Sequence, residues 1–278
     1  TPSVVAQIRV DYTDGTHDWI RTDTSWRTAT GPYVRSDRHM GETYDARLER
    51  LGWDRPRYDQ TQWTSPDIME SATSLLVAQP DEPVRETQQL TTTNRTEPKP
   101  GTYIYDLGQN MVGVARMRLT GTAGQTATIR HGEVLNPDGT LYTANLRSAE
   151  STDRYTFAAN GTVTFEPTFT QHGFRYVEIT GITPPSAADV QGAVWSSDLR
   201  TTGSFSTSSP MLNKLQSNIT WGQRGNFLSI PTDTPARDER LGWTGDINVF
   251  SPTASYNQDT RAFRLYRGIL DEIEAADY

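Results

Sequence analysis

The sequence contains no cysteine, so no disulfide frames the fold and no thiolate acts as nucleophile or metal ligand. Only Lys99 and Lys214 are lysines, which leaves the positive charge almost wholly on arginine. Histidine is scarce too. His17, His39, His131 and His172 lie far apart along the chain, a spacing that predicts no histidine–carboxylate metal site. No apolar run approaches the roughly 20 residues that a membrane-spanning helix needs. The formal net charge of −8 argues against nucleic acid and anionic membrane as partners, since both select for basic surfaces. Thr1-Pro2-Ser3-Val4-Val5 lacks the basic and apolar regions of a signal peptide, and the compartment, secreted or cytoplasmic, stays open.

What is present is mostly β-strand signal. At 278 residues, two or three domains are expected. Short apolar runs alternate with turns over the first 70 residues, and Asp14-Gly15 is a strong hairpin dipeptide. Trp53, Tyr58 and Trp63 are expected to close a sandwich core. In Gly41-Glu42-Thr43-Tyr44-Asp45-Ala46-Arg47, the two acids suit either a hard cation or, the reading favoured here, a surface ion pair with Arg47. A polar bridge at 71–100 is linker or edge strand. Strand patterns resume at Tyr103-Ile104-Tyr105 and around Val112, Val114, Met117 and Leu119. Turns are readable at Asn136-Pro137-Asp138-Gly139 and Asn160-Gly161, the second predicting a hairpin between Tyr155–Phe157 and Val163–Phe165. Phe174 to Ile179 alternates strictly, and evenly spaced strands predict an all-β sandwich.

Near residue 205 the period changes to helical. Ser209 followed by Pro210 reads as a cap with proline at the first helical position, and Met211, Leu212, Leu215 and Ile219 recur at helical spacing. A second helix is expected from about Gly242. A third, capped by Asp259-Thr260, would carry Ala262, Phe263, Tyr266, Ile269, Leu270 and Ile273 on one face. Helices facing one way form an incomplete layer, whose apolar faces need a partner. The predicted domains are therefore a partial jelly-roll-like sandwich at 1–72, a β-sandwich at 73–195 and a helical domain at 196–278.

Between the first two helices lies the densest polar stretch, Ile230 to Asp246. Four carboxylates, two arginines, a tryptophan, two glycines and two prolines fall within seventeen residues. Acids and arginines this dense are almost never core, and prolines and glycines fix the path of the loop. With a helix from Gly242, Trp243, Asp246 and Phe250 share one face. Asp233 and Arg237 precede on the stiffened loop, and Glu239 sits in the turn close to that face. Sugars ask for this composition, because carboxylates and Arg bind vicinal hydroxyls while an indole covers the apolar side of the ring. Glycoside cleavage needs one protonated carboxyl and a second acting as base or nucleophile. Glu239 is the choice for the acid, on the expectation that an aromatic wall and neighbouring carboxylates keep it protonated. Asp238 is expected to turn away, towards Arg240. Core packing for Trp243 and simple capping or ion pairing for Asp246 are the alternatives.

Pro231-Thr232-Asp233-Thr234-Pro235-Ala236-Arg237-Asp238-Glu239-Arg240-Leu241-Gly242-Trp243-Thr244-Gly245-Asp246 resembles the signature of bacterial α-L-rhamnosidases, glycoside hydrolase family 78. Ser36-Asp37, Gly41 to Arg47, Tyr105 to Asn110, His131-Gly132-Glu133-Val134-Leu135 and Phe169 to Glu178 agree with it in the family's order. The resemblance implies β-sandwich domains followed by the first helices of an (α/α)6 barrel, and an inverting enzyme that removes terminal L-rhamnose from glycosides or polysaccharides. It places the general acid on Glu239 and the rhamnose pocket on Asp233, Arg237, Trp243 and Asp246. Thr234 stands where many relatives carry Cys. No cofactor is implied beyond Ca²⁺ in the N-terminal domain of some relatives, whose ligands cannot be placed here. The family's general base lies beyond Tyr278, so the chain is expected to be a fragment, inactive alone, that works with the remainder of the catalytic domain. The competing expectation is a carbohydrate-binding or scaffold fragment without turnover.

Overall fold

The computed structural model describes residues 3–69, 79 and 81–259. The chain divides into two compact units, one from Thr1–Pro32 and Leu48–Val77, the other from Tyr33–Arg47 and Ala78–Tyr278. In the first unit, β1 (Gln7–Asp11) and β2 (His17–Arg21) pair antiparallel from Gln7 opposite Arg21 to Asp11 opposite His17. The turn forms at Asp14-Gly15 as the dipeptide predicts, with Gly15 at φ +87° and the Asp14 carboxylate accepting from Thr16 N. Arg9 and Arg21 both stack on Trp19. Tyr58 and Trp63 meet edge to face, whereas Trp53 stays 63% exposed and closes no core. Its neighbours Asp54 and Arg55 are polar and occupy a run of turns, so no apolar layer is built over the indole.

The second unit is built on one ten-stranded curled sheet. Its strands are β3 (Tyr33–Asp37), β4 (Gly41–Asp45), β5 (Val84–Thr91), β6 (Asn94–Lys99), β7 (Thr102–Gly121), β8 (Thr126–Gly132), β9 (Thr152–Thr156), β10 (Gly161–Phe165), β11 (His172–Thr180) and β12 (Val190–Ser197). The order is β3-β4-β9-β8-β11-β7-β12-β5, with β6 and β10 also on β7. All neighbours are antiparallel except β4 and β9. The described part of the polar bridge, from 81 to 100, thus contains the edge strands β5 and β6. The long β7 serves as the spine: β6 and β11 pair with its first half, β12 and β10 with its second. Gly113 at φ +144° lets β7 press on β12, since a Cβ there would lie 1.9 Å from Ala193 O. One core joins Tyr105, Leu107 and Leu119 of β7 to Ile129, Phe174, Val177 and Val190 of the neighbouring strands.

Two local expectations fail. Asn160-Gly161 makes no hairpin, because β9 pairs with β8 and β4 while β10 joins β7; Asn160 instead caps the Ala123 N–H. The alternation in β11 breaks at a register shift between Phe174 and Tyr176, beyond which Glu178 is buried against Arg130. The Asn136–Gly139 turn forms as expected.

Two helices follow. α1 (Pro210–Asn226) starts with Ser209 at the cap position and proline in the first turn, and it packs on β7 and β12. α2 (Thr244–Asn257) has Trp243 at its N-cap. Phe227, just after α1, packs with Leu199, Ala254 and Phe250. A partly buried chain of amides couples the helices, Gln216 donating to Asn257, Asn257 to Gln223, and Gln223 to Ala254 O. Met211, Leu212, Leu215 and Val249 remain exposed. The third predicted helix lies outside the described residues.

Candidate active site

The polar stretch becomes a loop closed on itself. Asp233 N donates to Leu241 O at 3.1 Å, and Leu241 N donates to the Asp233 carboxylate at 3.0 Å. Thr232 ties the loop's start to the end of α1 through Asn226 O. Burial raises Asp233, but the N–H groups of Thr234 and Leu241 and a hydrogen bond with Glu239 outweigh it and hold the carboxyl below its usual range. Within the loop, Arg237 grips Glu239 through Nε and Nη2, at 2.9 and 2.6 Å from the same oxygen.

Asp233, Trp243 and Asp246 line one cavity of about 700 Å³, walled also by Asn226, Phe227 and Phe250. Trp243, Asp246 and Phe250 thus share a face, as their spacing predicts. Arg237 and Glu239 are absent from that lining and adjoin it through Asp233. The ion-pair partners of Glu239 are Arg237, at 2.6 Å, and Arg147, at 3.7 Å. Asp238 does not turn to Arg240. It accepts from the Ser148 hydroxyl at 2.6 Å and faces Arg147 at 3.5 Å, and these contacts hold its carboxyl below the usual range.

Arg240 is instead the anchor of the loop on the sandwich, only 3% exposed. Nη1 donates to Arg38 O and to Gln171 O, Nη2 to Ser151 Oγ and Ala236 O, and Nε to Arg237 O, so all five donors are used. Burial, then the charge of Arg38, pushes this guanidinium down to about 10. Ala236 packs between Leu146 and Ala149, and His39 contacts Glu239 O at 3.1 Å. Gly173 admits the loop: a Cβ there would stand 3.0 Å from Ala236 N and Pro235 C. Among the described residues five non-glycines have positive φ, and four of them, Arg147, Ser151, Ser229 and Arg240, lie in this loop or beside it. Each such conformation costs on the order of 1–3 kcal/mol and persists only where the surroundings over-determine it. Sequence reasoning missed Arg147 and Ser148 and gave Arg240 a different role; no local pattern marks the contacts that tie them to the loop and the sandwich, which run to residues 69 to 202 positions away.

Beneath the anchor lies a buried polar cluster. His131 and His172, distant in sequence, stack at 4.1 Å because β8 and β11 are neighbours, and Asp153 accepts from His172 at 3.1 Å. Burial raises Asp153, but His172 and the Glu42 N–H outweigh it and keep the carboxyl low. Burial, then the nearby His172, drives His131 down to about 3. The three side chains come within metal-ligating reach, which overturns the spacing argument. Their geometry does not suit an ion, since rings only 18° from parallel point their lone pairs side by side and not at one centre. Glu42 is also buried, its carboxylate accepting from Thr168 and Phe169 N, so only Asp45 makes the ion pair expected with Arg47.

Comparisons with known proteins bear on the family of the chain. Family models match in series: the α-L-rhamnosidase N-terminal domain at 1–88, the bacterial α-L-rhamnosidase concanavalin-like domain at 96–196, and the bacterial α-L-rhamnosidase 6 hairpin glycosidase domain at 200–277. An α-L-rhamnosidase of Streptomyces avermitilis is 55% identical over 97% of this chain, and one of Formosa agariphila 42% identical over all of it. The chain spans 26% and 30% of those proteins' lengths. Among solved structures, the Streptomyces avermitilis enzyme complexed with L-rhamnose superposes with a TM-score of 0.90 at 56% identity, covering 93% of this chain and 25% of that one. The Dictyoglumus thermophilum α-L-rhamnosidase gives 0.92 at 38% identity, covering 97% and 31%. The chain belongs to the bacterial α-L-rhamnosidase family.

Proposed function

We propose that this chain carries the acid half of an α-L-rhamnosidase active site, in a larger enzyme that removes terminal α-L-rhamnose from glycosides or polysaccharides with inversion. Glu239 donates the proton to the departing oxygen. Asp233, Arg237, Trp243 and Asp246 hold the rhamnose, carboxylates and guanidinium on its hydroxyls and indole on its apolar side. α1 and α2 open an (α/α)6 barrel, and their exposed Met211, Leu215 and Val249 pack against its later helices. An inverting reaction needs a second carboxyl roughly 6.5–9.5 Å from the acid, with a water between. That base comes from the remainder of the barrel, so this chain alone is inactive.

The observation that carries the reading is Asp233, which lines the cavity shared by Trp243 and Asp246 and closes the same loop that carries Arg237 and Glu239. The test is hydrolysis of an aryl α-L-rhamnoside by the full-length protein, followed by NMR. The β-anomer of rhamnose should appear first; an α-anomer, or no hydrolysis, counts against the proposal. A carbohydrate-binding role without turnover draws on one observation, that both ion-pair partners of the Glu239 carboxyl are arginines. Under it the full-length protein would bind rhamnosides and leave them intact.

A further inference from the structure

Arg147 is carried by the sandwich, at the end of the short turn Ala144–Leu146, and its side chain is 55% exposed. Its φ of +57° is left-handed backbone that a non-glycine residue holds only where neighbours dictate it. Here they do. Leu146 and Ala149 are buried against Ala236 on either side of it, and Ser148 binds Asp238 through both N–H and hydroxyl. The strained residue between these fixed points directs its guanidinium at the polar loop, 3.5 Å from Asp238 and 3.7 Å from Glu239.

We propose that Arg147 is a positioning residue for the acid, carried to Glu239 by the sandwich, where it holds that carboxyl in place for transfer of its proton to the departing oxygen. This rests on the reading of Glu239 as the acid. In that step the bond from sugar C1 to the glycosidic oxygen breaks with its electron pair going to oxygen, which takes the Glu239 proton. Water attacks C1 and yields a proton to the base. Glu239 is left as a carboxylate facing two cations, Arg237 from its own loop and Arg147 from the sandwich, with Asp233 and Asp238 as the neighbouring acids and His39 on its backbone oxygen. Both cations offset the negative charge that the carboxyl gains as its proton leaves. The sandwich thereby supplies a working group as well as a support.

The test uses Arg147→Met and Arg147→Lys in the full-length protein, with an activated aryl α-L-rhamnoside and an alkyl one as substrates. For Arg147→Met, kcat on the alkyl substrate should fall about threefold or more while kcat on the aryl substrate and both KM values hold, because only the poor leaving group depends on a well-placed proton donor. Arg147→Lys should restore most of that loss. An active wild type whose variant shows an unchanged alkyl-to-aryl ratio overturns the proposal. So does an equal loss on both substrates with a lowered melting temperature. An inactive wild type removes the rhamnosidase reading itself, and this proposal with it.

Discussion

Replacing Arg240 with methionine should both destabilise the protein and release the candidate loop. Methionine keeps much of the stem and removes all five donors. Arg38 O, Gln171 O, Ala236 O, Arg237 O and Ser151 Oγ then lose a partner in a site that is 3% exposed. A buried acceptor left unpaired costs about 1–3 kcal/mol. The separate costs do not add, because the loop can shift to let water reach some of these oxygens. Asp153 also loses a favourable positive charge. The expected total is about 3–5 kcal/mol, the range found when one member of a buried charged network is removed. For a domain of this size that lowers the melting temperature by roughly 6–20 °C. Lysine should rescue little, since three donors on one nitrogen cannot reach oxygens spread around a planar fork. Calorimetry of wild type, Arg240→Met and Arg240→Lys decides the matter. Variants within about 1 kcal/mol of wild type would refute the claim that this guanidinium anchors the loop.

Gly173→Ala should push Pro235-Ala236 off β11, since the new Cβ needs 3.0 Å contacts with backbone atoms to yield; activity should fall more than stability, and equal loss in both would contradict it. Trp243→Ala should raise KM for an aryl rhamnoside with little change in melting temperature, because the indole is 46% exposed and lines the cavity; a large stability loss would return it to a core role. Acid sensitivity should trace to His131. Its folded pKa, about 3, lies below the ordinary 6.5, so the unfolded chain binds the proton first and stability falls as pH drops from 6.5 towards 3. One such group removes about 2 kcal/mol between pH 6.5 and 5, and His131→Gln should flatten that slope in urea titrations at the two pH values.

Local chemistry made part of this molecule legible in advance. Asp14-Gly15 turns the first hairpin, Ser209 and Pro210 begin α1, and the spacing of Trp243, Asp246 and Phe250 puts them on one wall. These features depend on residues a few positions apart. What pairing across the sheet decides could not be read the same way. Asn160-Gly161 has hairpin chemistry, yet the partner of β10 is β7. Histidines 41 positions apart stack because of strand order, and Arg240 finds its acceptors near Arg38 and Gln171. The charge environment of Glu239 escapes the sequence for the same reason. Trp243, the aromatic wall expected beside it, is close in sequence, but it is Arg147, 92 positions earlier, that reaches its carboxyl.

Glu239→Gln in the full-length protein addresses the central claim most directly, with kcat measured on a dinitrophenyl and an alkyl α-L-rhamnoside. The amide keeps the shape of the side chain and removes the transferable proton. The alkyl substrate should lose roughly 10²–10⁴-fold while the dinitrophenyl substrate, whose leaving group needs no proton, keeps most of its rate. Undiminished turnover of the alkyl rhamnoside would mean that the proton comes from elsewhere and that this loop is not the acid half of the site.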